Sequence, residues 1–393
     1  MNLERIQQAL QEEELHGWLF YDFRRSNPIA HRILELPREQ MFTRRWFYWI
    51  PTQGEPVALV SAVEPHVLRS LPGKQRIFRS WQELHTQLRS LFQPGWRIAM
   101  EYSPHNAIPY LSTVDAGTIE LVRTCGVEIV SSANLAQHFV ARLTPQQIAS
   151  HREAGRRLIA AKDRLLEELT SDLQAGRSLD EYGVQQRFLA LMQAQGLLVE
   201  EPPLIAVNSN ASNPHYTPTA EQHSPIQRGD LLLIDFWARL PEPEAIYADY
   251  TWMAFVGRQE DIPLRHREIF ALVCQARDTG LDFIRQRLAA GRPLQAYEVD
   301  DVVRAVIVRA GYGDAFVHRS GHSITTAEHG EGAHLDNLET HDERRLLPDT
   351  CCSLEPGIYL PDFGVRSEIN LLIHEREVEV TGVPMQQEIV PLL

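Results

Sequence analysis

The sequence predicts an α+β protein in which a smaller α/β domain precedes a pseudo-duplicated unit of helices and strands. From residue 145 onwards the chain passes twice through one order, two helices and then strands. Before residue 140, short strands alternate with helices instead. A length of 393 residues also favours two domains over one. We therefore expect an N-terminal domain at residues 1–140 and a larger second domain at residues 145–393.

The N-terminal domain is predicted from short runs of aromatic and aliphatic residues that are typical of strands. These runs lie at residues 17–21, 46–50, 56–60 and 97–100. Between them, the apolar spacing of residues 80–91 predicts a helix. This part of the chain contains no cluster of acidic residues and histidines, so we assign it no chemistry.

The second domain is predicted from helix-start signals and apolar periodicity. Thr144-Pro145 is typical of an N-cap followed by proline in the first helical turn. Ser178 and Glu181 form a capping-box pattern that predicts the start of the next helix. The predicted helices span residues 145–169, 178–194, 264–288 and 296–310, and the predicted strands span residues 231–236, 250–256, 350–359 and 365–373.

Composition excludes several classes of protein. The formal net charge of -14 argues against a nucleic-acid partner, which requires a basic face. No apolar run is long enough to span a membrane, and the charged start of the chain does not resemble a secretory signal. The 4 cysteines lack the spacing of a thiolate metal site or a disulfide framework. We expect a cytoplasmic protein.

Two aspartates are the first candidates for chemistry. Asp235 ends an apolar run that predicts a buried strand, where an ionised carboxylate is costly unless it is paired or bound to a metal. Asp249 follows beyond a turn-like stretch at residues 239–244. We expect the two aspartates to lie side by side on a hairpin, although each alone is also compatible with a cap or turn.

The second half of the domain repeats this arrangement with glutamates. Glu355 ends an apolar run, and Glu368 follows after a Pro-Gly pair and a turn at residues 362–364. The repetition argues against two unrelated surface positions. A group of histidines precedes them in a stretch that is otherwise typical of polar surface: His318, His322, His329 and His334.

The charge of these groups indicates a metal centre. Four carboxylates that meet without compensation would strongly raise one another's pKa values. Two divalent cations would neutralise them, and carboxylates with one imidazole suit Mn, Co, Zn or Fe. Two such ions, roughly 3.5–4 Å apart, lower the pKa of a shared water towards ~7 and so provide the nucleophile of a hydrolase.

These residues, in this order, resemble the pita-bread metallopeptidase family, which includes methionine aminopeptidase, aminopeptidase P and prolidase. The resemblance covers nearly the whole chain, since residues 1–140 are similar to the N-terminal domain of prolidase and creatinase. It implies a pita-bread catalytic domain at residues 145–393 with two divalent metal ions, Mn foremost. The implied metal ligands are Asp235, Asp249, His322, Glu355 and Glu368, of which Asp249 and Glu368 bridge the ions.

The proline-specific branch of the family implies further roles. His318 matches a residue lining the proline pocket, and Thr251 matches a residue that supports a bridging ligand. His215 and His329 match histidines that contact the substrate. The implied catalytic residues are His215, His329, Glu355 and Arg366.

The sequence departs from the family pattern without losing a ligand. The usual Gly-His-Gly-x-Gly is Gly321-His322-Ser323-Ile324-Thr325 here. The usual His-Glu pair is His329-Gly330, and the usual Thr-Arg pair is Thr251-Trp252. These departures bear on substrate choice and loop geometry.

The resemblance implies hydrolysis of an Xaa-Pro bond, by a dipeptidase or an aminopeptidase. The implied partners are a proline-containing dipeptide or peptide and a second copy of the chain in a homodimer, with no nucleic acid and no membrane. Two alternatives are a creatinase-type C–N hydrolase and a non-catalytic binding protein of this fold. The first lacks the metal ligands and the second has usually lost some, whereas all five positions are present here.

Overall fold

The computed structural model describes residues 1–393, which divide into two compact units, Met1–Val140 and Ala141–Leu393. No helix combines the length and apolar character needed to cross a membrane.

The first unit is a six-stranded mixed sheet with helices, ordered β4-β3-β2-β1-β5-β6. Its strands are β1 (Gly17–Asp22), β2 (Trp46–Pro51), β3 (Val57–Ser61), β4 (Lys74–Phe78), β5 (Arg97–Met100) and β6 (Glu128–Ser131). Its helices are α1 (Leu3–Glu12), α2 (Pro28–Ile33), α3 (Trp81–Arg89), α4 (Ala116–Arg123) and α5 (Ala133–Val140). Strand β1 is buried along its whole length because alternate side chains enter separate apolar clusters. Trp18 and Phe20 belong to one cluster, and Leu19 and Tyr21 to the other.

The second unit contains the repeated order of helices and strands. Its helices are α6 (Pro145–Gln174), α7 (Glu181–Ala194), α8 (Leu264–Ala289) and α9 (Ala296–Arg309). Its first set of strands is β7 (Leu179–Asp180), β8 (Leu204–Val207), β9 (Pro225–Ile226), β10 (Leu231–Ala238) and β11 (Ala248–Phe255). The remaining strands are β12 (Ser323–Ile324), β13 (Thr350–Leu354), β14 (Gly357–Tyr359), β15 (Gly364–Arg366), β16 (Ile369–Ile373), β17 (Val378–Thr381) and β18 (Val390–Pro391).

Each half of this unit builds a four-stranded sheet around one central antiparallel pair. The orders are β18-β11-β10-β8 and β12-β13-β16-β17, so β10–β11 corresponds to β13–β16. Two helices precede each pair, which confirms the predicted α+β class with a pseudo-duplicated unit.

One side chain ties the two sheets together. Asn370 on β16 accepts a hydrogen bond from the backbone N–H of Asp249 on β11, at 2.9 Å. Its side-chain amide donates to the carbonyl of Asp249, at 2.6 Å. Asn370 is fully buried, so it replaces a missing strand partner for both backbone groups of Asp249. This contact fixes the position of the Asp249 side chain relative to the second sheet.

Two predicted strands are each divided in the structure. The run predicted at residues 350–359 forms β13 and β14, which are interrupted at Glu355 and Pro356. The run predicted at residues 365–373 forms β15 and β16, which are interrupted at Ser367 and Glu368. Pro356 has no N–H to continue a ladder, so the chain bends where both glutamates lie.

The start of α7 also differs from the prediction. Asp180, and not Ser178, is the N-cap residue, and its carboxylate accepts the N–H of Gly183 at 2.7 Å. The residues after Ser178 are extended because Leu179–Asp180 pairs with β9. Helix α6 runs beyond the predicted end at Leu169, and the chain leaves it at Gly176, which has a φ of +72°.

The Asn370 contact can be tested by substitution. Asn370→Ala leaves the buried N–H and C=O of Asp249 without partners, so it should lower the free energy of unfolding by about 1–3 kcal/mol. Urea unfolding measures this loss. Asn337→Ala is the control. The exposed Asn337 side chain donates to Asp301 at 2.7 Å and accepts from His341 Nδ1 at 2.8 Å, so water can replace both bonds and the change should cost less than about 0.5 kcal/mol. Equal losses in the two variants would contradict the special role of Asn370.

Candidate metal centre

The first pair of carboxylates lies on the β10–β11 hairpin. Asp235 is directly opposite Thr251, and Asp249 is directly opposite Trp237. The predicted hairpin is therefore present, but the two aspartates are diagonal neighbours and not a direct pair. Residues two apart on a strand share a face, so both carboxylates point to the same side of the sheet.

The second group lies around β12 and at the two strand breaks. His322 precedes β12 and is held by Ser353 on β13. The His322 N–H donates to the Ser353 hydroxyl at 2.9 Å, and the Ser353 N–H donates to the His322 carbonyl at 2.8 Å. The Ser353 hydroxyl in turn donates to Glu355 Oε1, at 3.2 Å. One serine thus positions two of the predicted ligands.

The structure brings residues of both halves to one buried point. Asp249, His322 and Glu368 each offer a ligand atom, and these atoms lie within 4.8 Å of one another. His322 Nε2 is 3.5 Å from Asp249 Oδ2 and 3.5 Å from Glu355 Oε1. Asp235 and Glu355 are the more open members, each with 13% of its side chain exposed.

The imidazole of His322 is in the form that a metal requires. Its Nδ1 lies 3.2 Å from the carbonyl oxygen of Ser323, which can only accept, so the proton belongs on Nδ1. Burial lowers the pKa of His322 to about 3, which keeps the ring neutral. Its Nε2 therefore presents a lone pair to Asp249 and Glu355.

The carboxylates show the expected conflict of charge. Burial raises the pKa of Asp249 well above its ordinary value, and Glu368 and Asp235 raise it further. Burial also raises the pKa of Glu368, and Glu355 and Asp235 add to the effect. Asp249 Oδ1 and Glu368 Oε1 are buried without a hydrogen-bond partner. Unpartnered oxygens beside a neutral imidazole lone pair fit divalent cations of the hard to borderline type.

Arg366 and Thr251 organise the remaining oxygens. Arg366 forms an ion pair with Asp235 and donates through Nε to the Thr251 hydroxyl, at 2.8 Å. The Thr251 hydroxyl then donates to Glu368 Oε2, also at 2.8 Å. Asp235 and Glu368 are thus linked through one arginine and one threonine. The Thr251 hydroxyl also lies 3.2 Å from Asp235 Oδ1, so Glu368 Oε1 is the carboxylate oxygen that stays outside these hydrogen bonds.

The predicted substrate histidines line a cavity of about 680 Å³ above these carboxylates. His318 donates from Nδ1 to the Arg319 carbonyl at 2.7 Å, and its Nε2 accepts from the Tyr359 hydroxyl at 2.8 Å. The ring centroid of His329 lies 4.3 Å from that of His322. His215 is exposed on a loop at the cavity lining. His334 does not line the cavity, since its Nδ1 accepts the Ser323 N–H at 3.0 Å.

Sequence reasoning missed several residues of this site. Trp237 could have been found, because it lies two residues after Asp235 on one strand and so shares its face. Ser353 has the same relation to Glu355. Other lining residues carried no local signal and become neighbours only in the fold: Glu201, Arg319, Glu328 and Glu339.

Comparison with known proteins places these residues within a family. The sequence model of metallopeptidase family M24 matches residues 149–375. The Xaa-Pro dipeptidase of Lactobacillus helveticus is 31% identical over 167 residues, which are 42% of this chain and 40% of that protein. The Xaa-Pro dipeptidase of Pyrococcus furiosus is 31% identical over 173 residues, 44% of each chain. The matched segment therefore spans less than half the length of these relatives.

Solved structures resemble the chain over almost its whole length. The dipeptidase PepE of Mycobacterium ulcerans superposes with a TM-score of 0.65 at 18% identity, covering 99% of this chain and 97% of that one. The prolidase of Pyrococcus furiosus superposes with a TM-score of 0.56 at 20% identity, covering 97% and 100%. These likenesses confirm the predicted pita-bread fold with its preceding α/β domain.

Manganese should stabilise the folded chain. A ligand that binds only the folded state, present at a hundred times its dissociation constant, adds about 2.7 kcal/mol to the free energy of unfolding. Glu368→Gln should remove most of this gain, because an amide cannot compensate two cations. Thermal unfolding with and without Mn²⁺ measures the effect, and an equal gain in both proteins would contradict a site at Glu368.

Without metal, the Glu368→Gln substitution should stabilise the folded chain instead of weakening it. The pKa of Glu368 is raised in the fold, so stability falls as pH rises from the ordinary value of 4.5 towards the folded value. Glu368→Gln removes this group and should therefore raise the free energy of unfolding near pH 7.5. The difference should shrink below about pH 4.5, where both chains are neutral at this position. Urea unfolding in a chelator measures it, and a less stable variant at neutral pH would refute the repulsion.

Proposed function

This chain belongs to metallopeptidase family M24, and from that premise we propose that it hydrolyses the Xaa-Pro bond of dipeptides or short peptides. The observation that carries the proposal is the buried meeting point of Asp249, His322 and Glu368, with Asp235 and Glu355 beside it. The names of the relatives, Xaa-Pro dipeptidases, support the same substrate. They also favour a dipeptidase over an aminopeptidase.

We infer that the site holds two divalent cations, with Mn preferred and Co, Zn or Fe as alternatives. The proposed ligands are Asp235, Asp249, His322, Glu355 and Glu368. Two unpartnered carboxylate oxygens and a neutral imidazole support this set. When bound, such a pair of cations polarises a carbonyl and lowers the pKa of water to about 7.

Glu355 is the proposed proton carrier. Its Oε1 accepts the Ser353 hydroxyl, and its side chain remains open to the cavity. The nitrogen of an Xaa-Pro bond carries no hydrogen, so cleavage requires a proton on that atom before it leaves. A carboxyl group held at a fixed point in the cavity suits this transfer.

His215 and His329 are the proposed contacts to the scissile carbonyl. Both line the cavity, and the His329 ring lies against the His322 ring. A hydrogen bond from an imidazole N–H to the carbonyl oxygen stabilises negative charge as it develops. Arg366 acts through Asp235 and Thr251, so we propose that it positions the ligands rather than touching the substrate.

The proline ring is proposed to lie against His318. Both nitrogens of His318 are engaged, so the ring presents a fixed apolar face. Tyr359 packs 5.3 Å from it, centroid to centroid, and Phe316 lies at the same distance on another side. A rigid aromatic surface of this kind packs better against a compact pyrrolidine ring than against a flexible side chain of the substrate.

The homodimer and the cytoplasmic location stay predictions. The location is supported by cysteines that are all free thiols, as expected in a reducing compartment. The two alternative functions, creatinase-type C–N hydrolysis and binding without catalysis, are disfavoured by the retained ligand set.

The proposed activity is tested with Mn-loaded protein and three peptides. Leu-Pro should be cleaved, and Leu-Ala should be cleaved far more slowly because it lacks the ring that packs against His318. Leu-Pro-Ala distinguishes an aminopeptidase, which cleaves it, from a dipeptidase, which does not. Amino-acid release measured by chromatography decides the case, and intact Leu-Pro after prolonged incubation would overturn the proposal.

The role of Glu355 is tested by Glu355→Gln, which keeps a ligand oxygen but cannot carry the proton. Turnover of Leu-Pro should fall about 10²–10⁴-fold. Glu375→Gln, at an exposed position outside the cavity, is the control and should retain full activity. Metal content measured beside the rate separates lost proton transfer from lost metal, and a near-normal rate in Glu355→Gln would contradict the role.

A further inference from the structure

Glu328 is a carboxylate in the cavity without a partner. It lines the cavity, and 27% of its side chain is exposed. It makes no hydrogen bond, and its nearest basic atom is Nε2 of His329 at 3.5 Å. This imidazole is its one ion-pair partner, so no lysine or arginine balances the Glu328 charge. Glu328 is therefore a partly buried acid that lacks a cation.

The surroundings of Glu328 make this lack costly. Burial raises the pKa of Glu328 to about 8, and the carboxylates of Asp235, Glu201 and Glu355 contribute to that rise. A half-buried carboxylate among like charges destabilises the empty site, and such positions concentrate where ligands bind. A positive group placed beside Glu328 would stabilise its ionised form.

The whole cavity has the same imbalance. With all seven lining carboxyl groups ionised, two guanidinium groups leave five net negative charges, and two divalent cations reduce that excess to one. Arg366 already forms an ion pair with Asp235, and the proposed ligand carboxylates would bind the metals. An Xaa-Pro dipeptide with an uncharged Xaa side chain is a neutral zwitterion. A dipeptide with a basic side chain brings the one further positive charge.

Apolar residues of the same cavity suit the stem of a long basic side chain. Trp237 lines the cavity and packs on an apolar cluster beneath it, and Leu204 and Pro214 add apolar surface. Lysine and arginine place their methylene stems along such surfaces and their charges at an aromatic face or a carboxylate. Glu201, exposed at the lining, adds a second negative charge that acts on Glu328.

We propose that Glu328 is a specificity-determining residue that binds a cationic side chain, lysine or arginine, at the residue before proline. The inference rests on the proposed Xaa-Pro hydrolysis and names its substrate class. It also bears on the departure from the family's His-Glu pair. Here glycine follows His329, and the acidic residue, Glu328, precedes it. The Glu328 carboxylate would pair with the ammonium or guanidinium group, and the metals and His318 would hold the scissile bond and the ring.

The test compares Lys-Pro, Leu-Pro and Glu-Pro with Mn-loaded wild type and Glu328→Gln. The wild type should favour Lys-Pro over Leu-Pro in kcat/KM by about tenfold, as expected for a hydrogen bond to a charged group. Glu-Pro should be the poorest substrate. In Glu328→Gln, the kcat/KM values for Lys-Pro and Leu-Pro should differ by no more than about twofold. The change should come mainly from a higher KM for Lys-Pro, because the lost contact stabilises the bound substrate and the transition state alike. Raised salt should narrow the wild-type preference in the same way.

Glu339→Gln is the matched control. It removes one charge from the same lining, but Glu339 accepts the Arg319 N–H, at 2.9 Å, and has no predicted contact with the Xaa side chain. The preference should survive in this variant, and thermal unfolding confirms that both variants are folded. Equal loss for Lys-Pro and Leu-Pro in Glu328→Gln, or equal effects of both variants, overturns the inference while leaving Xaa-Pro hydrolysis intact. Failure of the wild type to cleave any of the dipeptides overturns the proposed function and the inference together.

Discussion

The site depends on repulsion between carboxylates that the fold forces together. Asp249 lies on the first sheet and Glu368 directly precedes β16 of the second, and each is almost wholly buried with one oxygen unpartnered. Such an arrangement is unfavourable in isolation, because buried ions need opposite charge within a few ångströms. The Asn370 contact between β11 and β16 holds the two sheets in register despite this cost. Folding of the unit and binding of cations are therefore coupled processes.

Because these carboxylates are buried, neighbouring polar groups form hydrogen bonds and ion pairs with them. Arg366 satisfies one oxygen of Asp235, Thr251 satisfies one oxygen of Glu368, and Ser353 satisfies one oxygen of Glu355. Glu355 and Glu368 are each held in orientation through one oxygen while the other oxygen stays available, and the second oxygen of Asp235 lies 3.2 Å from the Thr251 hydroxyl. These hydrogen bonds fix the orientation of the carboxylates before a cation binds, which reduces the conformational entropy lost on binding.

Much of this unit could be predicted from the sequence because its signals are local. The helices α8 and α9 follow from apolar periodicity, and the β10–β11 hairpin follows from two apolar runs around a turn. The carboxylates that end those runs stood out because buried charge is costly. The diagonal register of Asp235 and Asp249 could not be predicted, since it depends on the length and path of the loop. The strand breaks at Glu355 and Glu368 and the pairing of Asn370 with Asp249 depend on contacts between distant segments, which no local pattern encodes.

With the two proposed cations bound, the cavity would keep a net negative charge, and this charge would influence which substrate binds. Glu328 stands outside the ligand set, and its position next to His329 follows from the loop that carries the histidines. The proposed substrate contact His329 and the proposed selecting group Glu328 thus belong to one loop, where a substitution could alter the substrate preference.

Anomalous diffraction from crystals soaked in Mn²⁺ tests the central claim most directly. The account predicts two peaks per chain among the side chains that would hold the ions, Asp235, Asp249, His322, Glu355 and Glu368. Absence of any peak between these side chains, or ions bound only at the surface, would contradict it.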